Sequence, residues 1–223
     1  MRFNVSELAK NVCCAAALCA MSLSANAALS LEKQREVYEQ AQDLLDKNDI
    51  DGYLSIRPKI SDYPLTPYVD YRTFIRKLPE KSPQQVNEFI SEYESFPFSR
   101  RVRAPYLNHL YKQKDWKTIT EFQKVIPSGE RYQCIFYVAQ LEQGKKVAAF
   151  KGAEHMWLRG RSIADECDPL FAAWDKAGER TDELILQRML LAFDARNGSL
   201  MSYLLKLPKS SQARQQAKEM KAL

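Results

Sequence analysis

The sequence has few glycines and no stretch in which apolar and polar residues alternate over the length of a strand. Only seven glycines occur among 223 residues. Alternation with a period of two is the pattern of a half-buried strand, so its absence argues against a sheet. Apolar residues recur instead at the 3–4 spacing of amphipathic helices. We therefore predict an all-α fold.

The chain also has little of the chemistry that marks enzymes. No G-x-S-x-G, P-loop or H-E-x-x-H string occurs, and no C-x-x-C pair suggests a metal. The only histidines, His109 and His155, lie within amphipathic patterns and are interpreted as structural or surface residues. Glu92 and Glu94 are a weak carboxylate pair, because residues two apart on a helix point to different sides. We predict no catalytic residue, no metal site and no cofactor.

The first 27 residues have the layout of a secretory signal peptide. Arg2 and Lys10 precede an apolar run from Val12 to about Leu23, and the segment closes on Ala25-Asn26-Ala27. The run is shorter than the roughly 20 residues of a membrane span. An N-terminal amphipathic helix is the alternative. We expect cleavage after Ala27 and a soluble, exported protein without stable membrane insertion.

Removal of this leader would leave two cysteines, Cys134 and Cys167, and would take the net charge from +5 to +4. Two cysteines in an exported chain favour a disulfide over two free buried thiols, because oxidising compartments rarely leave thiols unpaired. A bridge would stabilise the fold by about 3–4 kcal/mol in the chain-entropy description. The mild positive charge is ordinary, and we expect no nucleic-acid partner.

Short helices are predicted one after another along the rest of the chain. Expected N-caps are Ser30, Asp49, Thr66 and Asp115, and Ser82–Gln85 has the form of a capping box. Turns containing KQKD, EQGKK, KAGER and RNGS recur at intervals of 20 to 34 residues. Two of the expected apolar stripes are Val147, Phe150, Ala153, Trp157 and Leu200, Tyr203, Leu204, Leu207. Serial short hairpins favour an α-superhelix, or solenoid, over the alternative of a compact bundle.

The stretch DYPLTPYVDYR places Tyr63, Tyr68 and Tyr71 around two prolines. Tyr63 precedes a proline and should be extended, whereas Tyr68 and Tyr71 fall on the core-facing stripe of the next helix. Aromatic rings also stack on sugars, so the three tyrosines are candidate glycan contacts, although packing is the favoured interpretation.

A basic cluster formed by Arg100, Arg101 and Arg103 lies at a predicted helix start, between Pro97 and Pro105. Guanidinium groups at such a position can bind a phosphate or a carboxylate. A solvated basic face is the favoured interpretation.

Several strings resemble, in order, the N-terminal part of the soluble lytic murein transglycosylases. They are LEKQREVYEQA, DYPLTPYVDYR, QCIFYVAQLEQG, MWLRGRS with the following Cys167-Asp168, and LFAAWDKAGE. The resemblance covers essentially all of residues 28–223. It implies a superhelical array of short helices, the U-shaped domain, and it supports a Cys134–Cys167 bridge. Pro105 departs from the helix expected there and suggests a later helix start.

That family cleaves the MurNAc–GlcNAc bond of peptidoglycan without water, through one glutamate in a lysozyme-like C-terminal domain. The glutamate lies in an E-S string followed by G-L-M-Q and A-Y-N-A-G. This sequence contains Glu94-Ser95 but neither later string, so catalysis is not transferred to Glu94. The expectation is a truncated or split chain that lacks the catalytic domain and is inactive alone.

The resemblance further implies a periplasmic, peptidoglycan-associated helical scaffold. Its expected partners are glycan strands, with other cell-wall enzymes or the missing C-terminal part as further candidates. The alternative is an independent periplasmic helical-repeat adaptor that binds a protein partner.

Overall fold

The computed structural model describes residues 29–222, and this part of the chain contains twelve α-helices and no strand. The predicted all-α fold is confirmed. The helices are α1 Leu31–Asp46, α2 Ile50–Ile56, α3 Thr66–Arg76, α4 Pro83–Glu92, α5 Arg103–Lys112, α6 Trp116–Phe122, α7 Glu130–Glu142, α8 Lys146–Trp157, α9 Asp168–Lys176, α10 Asp182–Asp194, α11 Gly198–Leu204 and α12 Ser211–Ala222. The expected signal peptide, residues 1–27, lies outside the described residues. Within the described part, no helix is long and apolar enough to cross a membrane.

The chain divides into two compact units at the Thr66–Pro67 bond. The described part of the first unit contains α1, α2 and a 3-10 turn over Arg57–Ile60. Ser30 and Asp49 cap α1 and α2 as predicted, because their side-chain oxygens accept backbone N–H groups of the first turns. The apolar side chains buried in this unit are Tyr38, Ala41, Leu45, Tyr53, Ile56, Ile60 and Tyr63.

Thr66 is the first residue of α3, whereas the sequence predicted it as the N-cap. Its hydroxyl is buried and donates a hydrogen bond to the carbonyl oxygen of Ile60. The side chain therefore closes the turn that precedes the helix and does not cap the helix itself. Pro67, as the second helical residue, needs no backbone N–H.

Five helix-to-helix turns share one backbone geometry. In each, a residue with positive φ follows the helix: Asn48, Lys114, Gly144, Gly178 and Arg196. The next residue donates its N–H to the carbonyl five residues earlier, at 2.8–3.3 Å, and this is the Schellman arrangement. In three turns that next residue is Asp49, Asp115 or Asn197, whose side chain also caps the following helix. One short segment thus ends a helix and starts the next, which explains the regular hairpins.

Pro105 lies in the first turn of α5, which begins at Arg103. A 3-10 turn over Ser99–Val102 leads directly into this helix. Proline is tolerated at the start of a helix because the N–H groups there have no intrahelical acceptor. The helix start therefore lies at Arg103, two residues before Pro105. The proline falls inside the first turn and does not interrupt the helix.

The second unit has two hydrophobic clusters, and α7 contributes to both. Ile135 and Ala139 belong to the cluster built by α4, α5 and α6, while Phe136, Tyr137 and Val138 belong to the cluster of α8 to α12. Six consecutive residues of α7, from Cys134 to Ala139, are buried. A helix that is apolar on all sides must be covered on all sides. Accordingly α7 packs against α6 and α8, its sequence neighbours, and also against α5 and α9.

Two predicted apolar stripes are wrong at one position each. Val147 is 88% exposed and Tyr203 is 50% exposed, although their stripe partners Phe150 and Leu204 are buried. At about 100° per residue, Val147 lies roughly 140° from the middle of the buried arc of α8, and Tyr203 lies roughly 110° from that of α11. The other members of each stripe that lie within the helix are buried, so the 3–4 spacing finds the buried face but includes one residue outside it.

Gly152 allows α8 to approach α7 closely, and we predict that Gly152→Ala destabilises the fold. A Cβ at this position would lie 2.3 Å from a ring carbon of Tyr137, which is buried in the second unit. Forced overpacking of this kind costs about 1–3 kcal/mol. Equilibrium denaturant unfolding measures the loss. Gly198→Ala is the control, because the nearest atom to its Cβ is 3.6 Å away; equal losses in the two variants would contradict the prediction.

The carboxylate of Asp182 holds the segment before α12 against the start of α10. It accepts the N–H of Lys209 at 2.7 Å and of Ser210 at 2.9 Å. These hydrogen bonds, with that of Lys209 the stronger influence, lower the pKa of Asp182 below its usual value of 3.8. A carboxyl with a lower pKa in the folded state stabilises the fold above its unfolded pKa, and this contribution disappears as the pH falls through the folded pKa.

We therefore predict that the free energy of unfolding decreases from about pH 5 downwards, and that Asp182→Asn removes part of this decrease. Chemical denaturation at a series of pH values measures both slopes. Asp194→Asn is the control, because this exposed carboxylate at the other end of α10 makes no hydrogen bond or ion pair with the described residues. An unchanged slope in Asp182→Asn would show that the carboxylate does not contribute.

Candidate functional site

The three tyrosines of the DYPLTPYVDYR stretch fall in different units and have different surroundings. Tyr63 is buried in the first unit, where its ring centre lies 5.2 Å from that of Tyr38. Tyr71 is half-buried and stacks on Phe98 at 4.7 Å, while Tyr68 is 41% exposed and meets Phe98 edge-on. The core position predicted for Tyr68 is wrong, because the neighbouring Val69 occupies the buried face of α3.

Tyr68 and Tyr71 belong to an aromatic cluster that the sequence analysis did not identify. Its seven rings are Tyr68, Tyr71, Phe74, Phe89, Tyr93, Phe96 and Phe98, with neighbouring ring centres 3.9–6.4 Å apart. The string YESFPF, residues 93–98, supplies three of them and was the available signal. These contacts fix α3 against the segment that follows α4, and Tyr68 forms the exposed end of the cluster.

Tyr93 anchors this cluster to α3 through a polar contact. Its hydroxyl donates to a carboxylate oxygen of Asp70 at 3.0 Å. Burial and the neighbouring carboxylate raise the pKa of Tyr93 well above its usual value, so the hydroxyl stays protonated and remains a donor. The contact positions the rings and offers no acid–base chemistry at neutral pH.

A groove in the second unit contains part of the basic cluster. It has a volume of about 670 Å³, and we call it the arginine groove. It lies between α4, the start of α5 and the loop over residues 123–129. Its polar and charged lining residues are Asn87, Ser91, Glu94, Ser99, Arg100, Arg103, Gln123 and Ser128. Ile90, Leu107, Val125, Ile126, Pro127 and Tyr132 form most of its apolar walls.

The structure separates the three arginines that the sequence presents as one cluster. Arg100 and Arg103 line the groove, whereas Arg101 does not. The guanidinium of Arg103 lies over the Phe122 ring, 5.0 Å from its centre, and donates to Asn87 at 3.4 Å. Arg103 is thus held in place by neighbouring side chains, while Arg100 is exposed and makes no ion pair within the described residues.

The candidate acids and bases are not assembled into a catalytic constellation. Glu94 lines the arginine groove, and it is the one carboxylate among the described residues that line it. His155 lines a different cavity, beside Tyr137 and Gly152, and His109 lies on α5. Among residues 29–222, no three or more His, Cys, Asp or Glu side chains are grouped so that they could hold a metal ion.

Cys134 and Cys167 form a disulfide, with their Cα atoms 4.7 Å apart. Both are fully buried, at the start of α7 and just before α9. The bridge closes one end of the loop that contains LRGRS. Polar contacts of Glu130 with this loop supplement the bridge: the Glu130 carboxylate accepts from Arg159 at 3.2 Å, from Arg161 at 2.7 Å and from the N–H of Ala164 at 3.0 Å.

A buried cation supports the other side of the same loop. Arg188 is only 3% exposed, and its guanidinium carbon lies 4.1 Å from the centre of the Trp157 ring. One of its nitrogens donates to the carbonyl of Arg161 at 3.2 Å. Burial lowers the pKa of Arg188 to about 10, so it remains charged at neutral pH. The sequence analysis did not identify this residue, because an arginine on an apolar helix reads as a surface position.

The chain is similar to curated soluble lytic murein transglycosylases. It is 31% identical over 191 residues to the enzyme of Escherichia coli strain K12, and 32% identical over 175 residues to that of Salmonella typhimurium strain LT2. These alignments cover 85% and 78% of this chain, and 30% and 27% of the relatives. The chain therefore spans less than a third of the length of these relatives.

Solved structures of the same kind are similar in fold. The crystal structure of the 70 kDa soluble lytic transglycosylase from Escherichia coli matches with a TM-score of 0.78 and 29% identity, over 87% of this chain and 31% of that one. A complex of the 70 kDa enzyme with bulgecin A matches equally well. An inactive mutant of the lytic transglycosylase Slt from Pseudomonas aeruginosa matches with a TM-score of 0.72 and 30% identity, over 83% of this chain and 31% of that one.

A family model described as Cucumovirus coat protein matches residues 146–221. This match covers less than half of the chain and shows no family. The segment corresponds to α8 through α12, which are short amphipathic helices of the second unit.

We predict that loss of the disulfide lowers the stability of the protein without abolishing its helical content. The Cys134→Ala/Cys167→Ala double variant should lose about 3–4 kcal/mol of unfolding free energy, because the 33-residue separation no longer restricts the unfolded chain. Denaturant unfolding with and without reductant measures this loss. Reductant should destabilise the wild-type protein and leave the double variant unchanged. Detection of two free thiols in the oxidised, unfolded wild-type protein would contradict the bridge.

Proposed function

Since this chain is a homologue of the soluble lytic murein transglycosylases, we propose that it is a peptidoglycan-associated helical domain that acts in the periplasm as a scaffold. The observation that carries the proposal is the match over 85% of the chain to these enzymes. A scaffold needs a rigid shape. The disulfide, the Glu130 contacts and the buried Arg188 all hold the loop between α8 and α9 in one conformation.

The activity of the parent family is non-hydrolytic cleavage of the MurNAc–GlcNAc bond, which gives anhydro-muropeptides. We propose that this chain does not perform that reaction alone. Glu94-Ser95 is not followed by the G-L-M-Q and A-Y-N-A-G strings that accompany the catalytic glutamate of the family, since neither string occurs in the sequence. Its role would be to guide glycan strands or to hold a cell-wall enzyme near them.

Of the three candidate glycan contacts, Tyr68 is the best placed. Its ring is 41% exposed and is held edge-on by Phe96 and Phe98, so it is ordered before any ligand arrives. A pre-ordered exposed ring can stack on a sugar at low entropic cost. Tyr71 would support Tyr68 indirectly, because Tyr71 stacks on Phe98.

The second candidate function is that of an independent periplasmic adaptor that binds a protein partner. It is favoured by apolar side chains exposed on α10, since Leu190 is 52% and Phe193 is 40% exposed. Leu190 lines a groove between α10 and α12 together with Leu186 and Met220. Exposed apolar grooves of this kind are typical of protein-binding surfaces.

We predict that purified residues 28–223 co-sediment with peptidoglycan sacculi and release no anhydro-muropeptides from them. Tyr68→Ala should weaken co-sedimentation about three- to tenfold, because one ring–sugar contact is lost. Tyr203→Ala is the matched control, since this tyrosine is 50% exposed in the same unit but lies outside the aromatic cluster. Mass spectrometry of the supernatant detects released products.

Release of anhydro-muropeptides would contradict the proposed inactivity. Absence of co-sedimentation, together with capture of a defined cell-wall protein that depends on Leu190, would favour the adaptor. Equal weakening by the two tyrosine variants would contradict the proposed role of Tyr68. The scaffold proposal would then depend only on whether the wild-type protein co-sediments with sacculi.

A further inference from the structure

We propose that the arginine groove is a binding site for a short peptide with a free carboxylate. The site is separate from the aromatic cluster. The inference extends the proposed function, because peptidoglycan contains peptide as well as glycan. It rests on the size of the groove, on two arginines, and on one buried amide oxygen.

The size and lining of the groove suit a ligand of a few residues. Its volume of about 670 Å³ lies within the ~300–1,000 Å³ that is usual for ligand sites. The lining is mixed: apolar and aromatic residues such as Leu107 and Tyr132 alternate with polar and charged ones. A short peptide with small apolar side chains and a carboxylate offers a counterpart to both kinds of residue.

Two guanidinium groups give the groove its charge. Arg103 is positioned by its hydrogen bond to Asn87 and by the Phe122 ring, and the described residues provide no acceptor for its remaining N–H groups. Arg100 lies one helical turn earlier and lines the same groove. A pair of arginines three residues apart at a helix start can bind one carboxylate with charge-assisted hydrogen bonds.

Gln123 brings a buried acceptor without a donor to the wall of the groove. It is 7% exposed and lines the groove, and its amide nitrogen donates to the carbonyl of Val125 at 2.8 Å. This hydrogen bond fixes the orientation of the amide. Its Oε1 atom is buried and has no hydrogen-bond donor in the described protein. Because a buried acceptor without a donor costs free energy, a ligand N–H that reached this oxygen from the groove would be favoured.

The loop that carries Gln123 is held at both ends. At its far end, the side-chain amide of Gln133 donates to the carbonyl of Pro127 at 3.1 Å. Gly129 has a φ of 89°, a conformation that suits glycine, and a Cβ there would lie 3.3 Å from the Tyr132 ring. The wall of the groove is therefore preformed, and binding would need little ordering of the loop.

Glu94 is the only acid that lines the groove, so the lining has one more positive than negative charge. Repulsion by Glu94 would weaken a purely anionic ligand. Neutralising this residue should therefore strengthen the binding of a carboxylate, whereas neutralising an arginine of the groove should weaken it.

The experiment is isothermal titration calorimetry of residues 28–223 with three probes. They are an N-acetylated alanine tripeptide with a free carboxylate, the same tripeptide as its C-terminal amide, and chitotetraose. We expect the free acid to bind at least tenfold more tightly than the amide, because the amide cannot form the charge-assisted contacts. Arg100→Gln and Arg103→Gln should each weaken binding of the acid about tenfold, and Glu94→Gln should strengthen it.

Arg101→Gln is the matched control, since it removes the same charge from a neighbouring residue outside the groove. Thermal unfolding of each variant establishes that the fold is retained. Equal binding of acid and amide, an effect of Arg101→Gln as large as that of Arg100→Gln, or no binding of the acid at millimolar concentration would each overturn the inference. Co-sedimentation with sacculi but no tripeptide binding would contradict the peptide site and leave the scaffold proposal unaffected. Tripeptide binding but no co-sedimentation would contradict the scaffold proposal and leave the peptide site unaffected.

Discussion

Helix α7 lies between the two hydrophobic clusters of the second unit, and both clusters depend on it. Helices of 7–16 residues are marginal in isolation, so each needs the apolar surface of its neighbours. In α7 this requirement applies on every side, because Cys134 to Ala139 are all buried. The close approach of α8 at Gly152 and the packing of α5 and α6 on the opposite side follow from that burial.

Several polar contacts of the second unit lie at the start of the same helix. Glu130 binds two arginines and a backbone N–H of the loop between α8 and α9, and the disulfide joins that loop to the next turn of α7. Arg188 closes the loop from α10. Within the string MWLRGRS, Gly160 lies so close to the backbone of Leu191 that a Cβ there would be only 2.2 Å from its carbonyl oxygen, so the packing requires glycine at this position.

The functional proposals follow from the surfaces that this packing leaves open. The aromatic cluster presents Tyr68, and the arginine groove presents two cations and a buried amide oxygen. Under the proposed function both surfaces would contact peptidoglycan, which would offer sugars to one and peptides to the other.

The sequence by itself determined the helices, because caps and turns are local. Ser82 and Gln85 form the expected capping box, and Asp115 caps α6, since each hydrogen bond joins residues three apart. The resemblance to the transglycosylases was also available from the sequence. Only the tertiary structure decided which residues face solvent and which distant groups meet. Tyr68 is exposed and Val69 buried because the neighbouring helices select one face of α3. Arg100 and Gln123 line one groove although 23 positions separate them, since packing of α4, α5 and the following loop brings them together and no local pattern records that.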